Sequence, residues 1–267
     1  MRTSMYSIAL AVVSAFWGAF PASAAQLSSA AEGTMASALA NYNQGNVFKG
    51  GQEGTLAYRL FVPPASQAGQ RYPLVLWLEG GGNRGNDLTG WTQHAPAFTG
   101  HEFQAKTPCF VLAPRCPKGK QMWADLNSHQ GPLSPAMQLT MELLEETRRQ
   151  YHIDPQRVYI AGFSAGGFGV WDAITRFPER FAAAMPVSGG GDASKVQPIM
   201  HLPIWAFHGD ADKEVPVGRS RRMIEAIKAL GGTPKYTEFP KAGHVEAVRK
   251  TFQEAGVLDW LMAQKRP

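Results

Sequence analysis

The stretch RVYIAGFSAGGFGVWDAI, Arg157 to Ile174, restricts the fold more than any other part of the chain. A run of β-branched, aromatic and small apolar residues leads into Gly162-Phe163-Ser164-Ala165-Gly166, and a helical segment follows at once. A strand that passes straight into a helix through a glycine-flanked serine needs a sharp turn. Such a turn strains its central residue and lifts the serine Oγ clear of the sheet. The flanking glycines remove the Cβ atoms that would hold strand and helix apart. G-x-S-x-G by itself is a short pattern with little specificity. Its strand–turn–helix setting is what marks Ser164 as a nucleophile.

The rest of the chain repeats the alternation of strand and helix. PLVLWLE, CFVLAPR, RVYIAGF and PIWAFHG are continuous apolar runs, as expected of strands buried on both faces. RFAAAMPVSG reads as a fifth, and TLAYRLFVPP alternates until a Pro pair stops it. A helix should open at Ser134, with Ser134 as N-cap and Pro135 at the first helical position. Met137, Met141, Leu144 and Tyr151 then keep close to a helical period. Further helices are expected at about 165–177, 218–230 and 246–264. Together these predict an α/β fold, a mainly parallel sheet with helices on both faces, in one domain over residues 51–267. Gly189 to Leu202 is too short for a separate lid domain, and residues 25–50, rich in Ala, Ser, Gly and Asn, read as a loose N-terminal lead-in.

A serine needs a base to activate it and a third group to orient that base. In this type of fold the chain order is Ser, acid, His. After Ser164, the strand LPIWAFHG ends in DADKEVP, which offers Asp210, Asp212 and Glu214. Beyond the last strand, YTEFPKAGHVEAV places His244 in a loop, whereas His201 and His208 precede the acids or lie inside a strand. The oxyanion of an acyl intermediate calls for two backbone N–H groups. Ala165, at the start of the helix after the nucleophile, should give one, helped by the helix dipole. Gly81, in the glycine-rich loop Glu79 to Gly82 after an early strand, should give the other. Trp91, Trp123, Phe163 and Phe168 stand near these motifs and are candidates to line a substrate pocket.

Other features set limits. Residues 1–24 carry one positive charge, Arg2, then the apolar run IALAVVSAFWGAF and a small-residue site, ASA, as a signal peptide cleaved after Ala24 would. That predicts a secreted or periplasmic protein with no stable membrane anchor after cleavage. The net charge of +5 is scattered, without basic stretches interleaved with aromatics, so nucleic acid is not an expected partner. Cys109 and Cys116 flank FVLAPR; as ends of a strand they would lie on the order of 20 Å apart, beyond disulfide reach. The seven histidines show no metal-ligand spacing, so neither a metal site nor a cofactor is expected.

The chain resembles the α/β-hydrolase superfamily, and within it the secreted bacterial esterases and peptidases related to phospholipase/carboxylesterase and dienelactone hydrolase. The resemblance runs from about residue 53 onward and rests on YPLVLWLEGGGNRGND, PCFVLAPRCP, YHIDPQRVYIAGFSAGGFGVWD, FPERFAAAMPVSGGGD, IWAFHGDADKEVPVGRSR and GGTPKYTEFPKAGH. The family motif H-G-x-x-D-x-x-V-P falls on His208, Gly209, Asp212, Val215 and Pro216, which selects Asp212 as the acid; Gly243-His244 matches the tail motif. The resemblance implies a secreted serine hydrolase that cleaves carboxylic esters through an acyl-enzyme, with a small or oligomeric ester as its partner. A serine peptidase, or a degenerate hydrolase that only binds, are the alternatives. Two positions depart from the family. Its first loop reads L-H-G-x-G, where this chain has Glu79, and its tryptophan after the histidine is replaced by VEAV. A carboxylate aimed at an oxyanion would be repulsive, so Glu79 is expected to point away from Ser164, with Arg84 as a candidate partner.

Overall fold

A computed structural model describes residues 24–51, 54–64, 66–67, 69–83, 95–116, 122–124 and 131–267. Along the chain, α1 (Ala24–Gln44) leads into β1 (Asn46–Lys49), β2 (Thr55–Phe61) and β3 (Tyr72–Leu78). Two short helices, α2 (Pro96–Thr99) and α3 (His101–Lys106), precede β4 (Phe110–Pro114), and α4 (Pro135–Gln150) precedes β5 (Ile153–Phe163). Then come α5 (Ala165–Arg176), β6 (Ala183–Val187), β7 (Trp205–Gly209), α6 (Gly218–Ala229), β8 (Lys235–Phe239), α7 (His244–Gln253) and α8 (Val257–Ala263).

The eight strands form one sheet in the order β1-β2-β4-β3-β5-β6-β7-β8. β1, β2 and β4 pair antiparallel, and every pairing from β4 to β8 is parallel. Each residue of β3, β4, β6 and β7 is buried, as their apolar sequences, interrupted only by His208 in β7, require. Successive side chains of β3 point to opposite faces. Leu74, Leu76 and Leu78 join Met137, Leu144, Val170, Ile174, Met223 and Ile227 beneath α4, α5 and α6. Val75 and Trp77 join Met35, Val248 and Leu261 beneath α1, α7 and α8. The expected helix-covered, mainly parallel sheet is thus present. β6 and β7 are joined through two single 3-10 turns, Ala193–Lys195 and Gln197–Ile199.

Ser134 caps α4 as its sequence predicts, with its Oγ accepting from Met137 N at 3.0 Å, and Pro135 follows. Three local expectations need correction. Residues 25–50 are not a loose lead-in but contain α1 and β1. Alanine-rich sequence is good helix sequence, and α1 is tied down by the buried Met35 and by Tyr42, edge-on to Phe61 at 6.1 Å. The helix expected over 246–264 is two helices, separated at Gly256, whose φ of 75° no helix interior accepts. His244 lies at the first residue of α7 rather than in the preceding loop. Among the described residues no helix is long and apolar enough to cross a membrane.

Candidate active site

β5 delivers Ser164 at the carboxyl edge of the sheet, where open α/β sheets place their ligands. Its backbone, φ 57° and ψ −118°, is one that a non-glycine residue holds only under constraint from its surroundings. The constraints are visible. Ser164 N–H donates to the Val187 carbonyl at 2.9 Å, and the Ser164 carbonyl accepts from Phe168 N at 3.0 Å, the first bond of α5. A Cβ on Gly166 would stand 1.8 Å from the Leu78 carbonyl oxygen, and one on Gly162 would stand 2.7 Å from the Gly166 carbonyl. The glycines of G-x-S-x-G are therefore where β3, β5 and α5 meet backbone to backbone.

His244, brought in by α7, sets Nε2 2.8 Å from Ser164 Oγ. Its Nδ1 lies 2.7 Å from Asp212 Oδ2. A carboxylate only accepts, so Nδ1 carries the proton and Nε2 is left with a lone pair for the serine hydroxyl. The other carboxylate oxygen, Oδ1, accepts from the backbone N–H of Glu214 and of Val215, each at 2.9 Å. Burial alone would raise the Asp212 carboxyl, but the His244 hydrogen bond and these two amides together hold it below the usual carboxylate range. Asp210 does different work: exposed, it accepts from Lys241 N and ties the end of β7 to the loop before α7. Glu214 reaches towards the site from outside, with Oε2 3.8 Å from His244 Nε2 on a side chain 69% exposed.

Around this line the remaining candidates separate. Ala165, the first residue of α5, is buried beside Ser164 with its amide at the helix N-terminus. Gly81 opens a 3-10 turn, Gly81–Asn83, directly after Gly80. The loop comes close to Ser164: a Cβ on Gly80 would lie 3.3 Å from Phe163 Cδ1 and 3.5 Å from Ser164 Cβ. Phe163 is buried and packs its ring 4.7 Å from the His244 imidazole, as a floor beneath it. Trp123 is placed in the core. It is fully buried, presses on Gly169 of α5, and its indole N–H donates to the Glu79 carbonyl at 2.9 Å, which pins the glycine loop. Phe168 is buried as well, with the Arg219 guanidinium 5.8 Å over its ring. Trp91 and Arg84 lie outside the described residues. The Glu79 side chain is buried, and among the described residues Ser164 Oγ is hydrogen-bonded to His244 and not to Glu79.

Sequence reasoning placed His208 in the family motif and set it aside as the base, without giving it a role; it is fully buried with Nδ1 2.7 Å from Ser220 Oγ and Nε2 2.9 Å from the Val215 carbonyl. The usable signal was a histidine inside an otherwise apolar strand, since a buried polar group needs partners. No disulfide joins the two cysteines, both of which are buried, and burial pushes the Cys109 thiol up to about 12, so it offers no thiolate.

A family model described as "Putative esterase" matches residues 52–255, a span that contains Ser164, Asp212 and His244. The chain belongs to the Esterase family. Among solved structures this esterase-family chain is similar to a thermostable esterase, at 35% identity and a TM-score of 0.78, over 85% of this chain and 64% of that one. Its sheet order and that likeness give it the α/β-hydrolase fold. Among curated proteins it is 32% identical over 104 residues to the bifunctional acetylxylan esterase/xylanase XynS20E of Neocallimastix patriciarum. That match takes in 38% of this chain and 14% of the relative. It is 24% identical over 233 residues, 72% of this chain and 34% of the relative, to the uncharacterized peptidase YuxL of Bacillus subtilis (strain 168). The esterase-family chain thus spans 14% and 34% of the length of these two curated relatives.

Proposed function

We propose that the chain is a serine carboxylic-ester hydrolase that works through an acyl-enzyme. The observation that carries this reading is the unbroken line Ser164 Oγ, His244, Asp212 at 2.8 and 2.7 Å on a strained elbow. In the first half-reaction Ser164 Oγ bonds to the acyl carbon while His244 Nε2 takes its proton. The carbonyl oxygen becomes an oxyanion held by the Ala165 and Gly81 amides. Collapse breaks the bond to the leaving alkoxide, which receives the proton from His244. Water then repeats the sequence on the acyl-serine, with His244 again base and then acid, and releases the carboxylic acid. Asp212 stays ionised throughout and stabilises the imidazolium that forms twice. No metal or organic cofactor enters these steps.

Export is part of the same proposal, supported by the signal-like residues 1–24; the secreted protein should begin at Ala25. The similarity to an acetylxylan esterase/xylanase makes acetylated polysaccharide the first natural ester to try. The test of mechanism uses a fluorophosphonate probe and two chromogenic substrates. Labelling should occur, vanish in Ser164→Ala, and accompany turnover of p-nitrophenyl butyrate. Absence of labelling in the folded protein would mean a binding protein, and turnover of a peptide anilide alone would mean a peptidase.

A further inference from the structure

His208, near the end of β7, is fully buried one shell behind the line of reacting groups. Two acceptors face its Nε2: the Val215 carbonyl oxygen at 2.9 Å and Asp212 Oδ2 at 3.4 Å. Neither can donate, so Nε2 carries a proton. Nδ1 faces Ser220 Oγ of α6 at 2.7 Å, and that hydroxyl also lies 3.0 Å from the Gly189 carbonyl. Burial, the largest influence on this imidazole, keeps it below the ordinary histidine range and hence neutral. The two acceptors at Nε2 fix the tautomer that His208 presents to the acid, and Ser220 Oγ, with one proton for Nδ1 and the Gly189 carbonyl, holds the ring from the Nδ1 side.

The turn from Asp212 to Val215 explains what this tautomer accomplishes. Val215 gives its N–H to Asp212 Oδ1 and its carbonyl to His208 Nε2. Val215, whose N–H feeds one carboxylate oxygen, is thus anchored through its carbonyl by the same imidazole whose N–H edge faces the other. Other charged groups act on His208 from the neighbouring elements: Asp212 after β7, His244 on α7 and Glu238 on β8. Glu238 is engaged by Arg221 at 2.9 Å and by the Tyr236 hydroxyl at 2.8 Å, which leaves Asp212 as the carboxylate in contact with His208.

We propose that His208, with Ser220 behind it, is a positioning residue that aims the Asp212 carboxylate at His244. The proposal rests on the serine-hydrolase reading and acts through its acid. In His208→Leu the Val215 carbonyl loses its donor and the carboxylate is free to rotate off the imidazole. Loss of the Nε2 dipole near Oδ2 acts the other way by concentrating charge there. The dipole's main partner is the closer Val215 oxygen, so the loss of aim prevails. His208→Gln keeps an amide donor near the Nε2 position, and Ser220→Ala removes only the hydroxyl that orients the ring.

The experiment compares kcat, KM and the pH profile of p-nitrophenyl butyrate hydrolysis in the full chain and these three variants, with thermal melts to identify folded protein. His208→Leu should lower kcat on the order of tenfold, the effect of a lost hydrogen bond in a charged network. KM should hold, and the acid limb of kcat/KM should move to lower pH. His208→Gln should recover most of the rate, and Ser220→Ala should shift the limb the same way by less. Because His208→Leu can fail to fold, Ser220→Ala carries the test by itself in that case. A second readout needs no turnover: in Ser164→Ala, the low-field proton resonance of the His244–Asp212 hydrogen bond should move upfield when Ser220 or His208 is changed. An unmoved resonance and an unmoved acid limb in folded variants would overturn the role of His208. Full ester turnover by Ser164→Ala would overturn the hydrolase reading instead, so the two failures are distinguishable.

Discussion

A methyl group on Gly166 would lie 1.8 Å from the Leu78 carbonyl oxygen and 2.9 Å from that of Glu79, with only backbone to yield. Gly33, exposed within α1, has nothing within 4 Å of the same construction. These two glycines make a matched test of why the elbow has its sequence. Gly166→Ala should cost about 3 kcal/mol, the upper part of the range for overpacking. That lowers the melting temperature by roughly 6–12 °C, and it should abolish p-nitrophenyl butyrate turnover because β3 is pushed off α5. Gly33→Ala should leave turnover alone and add up to about 1 kcal/mol, the gain of alanine over glycine in an exposed helix. Calorimetry and the ester assay on both variants check the pair. At this scale the sequence is legible wherever chemistry demands a residue type at a turn. Ser164, Asp212 and His244 each stand where a strand gives out, and the structure brings all three together. His208 is harder to read because its function depends on Val215 and Ser220, which strand periodicity says nothing about.

The elements that carry the site are packed so closely that a core side chain can act on the chemistry. Trp123 sits under α5, against Gly169, and its indole bonds the Glu79 carbonyl at the exit of β3. Trp123→Phe keeps an aromatic ring there and removes the N–H. A buried carbonyl left without that donor costs about 1–3 kcal/mol. The larger consequence should fall on the glycine loop, which loses its tether next to Ser164. We expect kcat to fall about tenfold and the melting temperature by only a few degrees. A variant that lost stability but kept its kcat would restrict Trp123 to packing. Strands and most helices are readable from sequence, since β3, β4 and β6 are continuous apolar runs, β7 is apolar but for His208, and Ser134-Pro135 spells a helix start. α1 and β1 are not, because a few anchors such as Met35 and Tyr42 hold an otherwise small and polar segment. The split of the last helix turns on a single left-handed glycine, Gly256.

Across the whole molecule the ionisable groups define a window of stability with two acid steps and one alkaline step. Asp212, Glu238 and Asp154 have folded values below their unfolded ones. Such carboxylates stabilise the fold above the unfolded value and lose that contribution as pH falls through the folded one, which places their step below about pH 5. His208 acts earlier. Its folded value lies below the ordinary histidine value of about 6.5, so as pH drops past that point the unfolded chain binds a proton that the folded chain refuses. Stability must therefore decline from there downward, before any carboxylate titrates. On the alkaline side, burial raises the Tyr159 and Tyr236 phenols. The unfolded chain ionises its tyrosines near pH 10 while these two stay neutral, so stability falls again as pH rises past that point. The decisive comparison is thermal unfolding of the full chain and of His208→Gln at pH 7.5 and 5.5. The unsubstituted protein should lose melting temperature between these values, and His208→Gln, with no proton to refuse at that position, should lose clearly less. Equal losses would mean that other histidines account for the acid sensitivity, and that the imidazole behind Asp212 accepts its proton as readily in the fold as out of it.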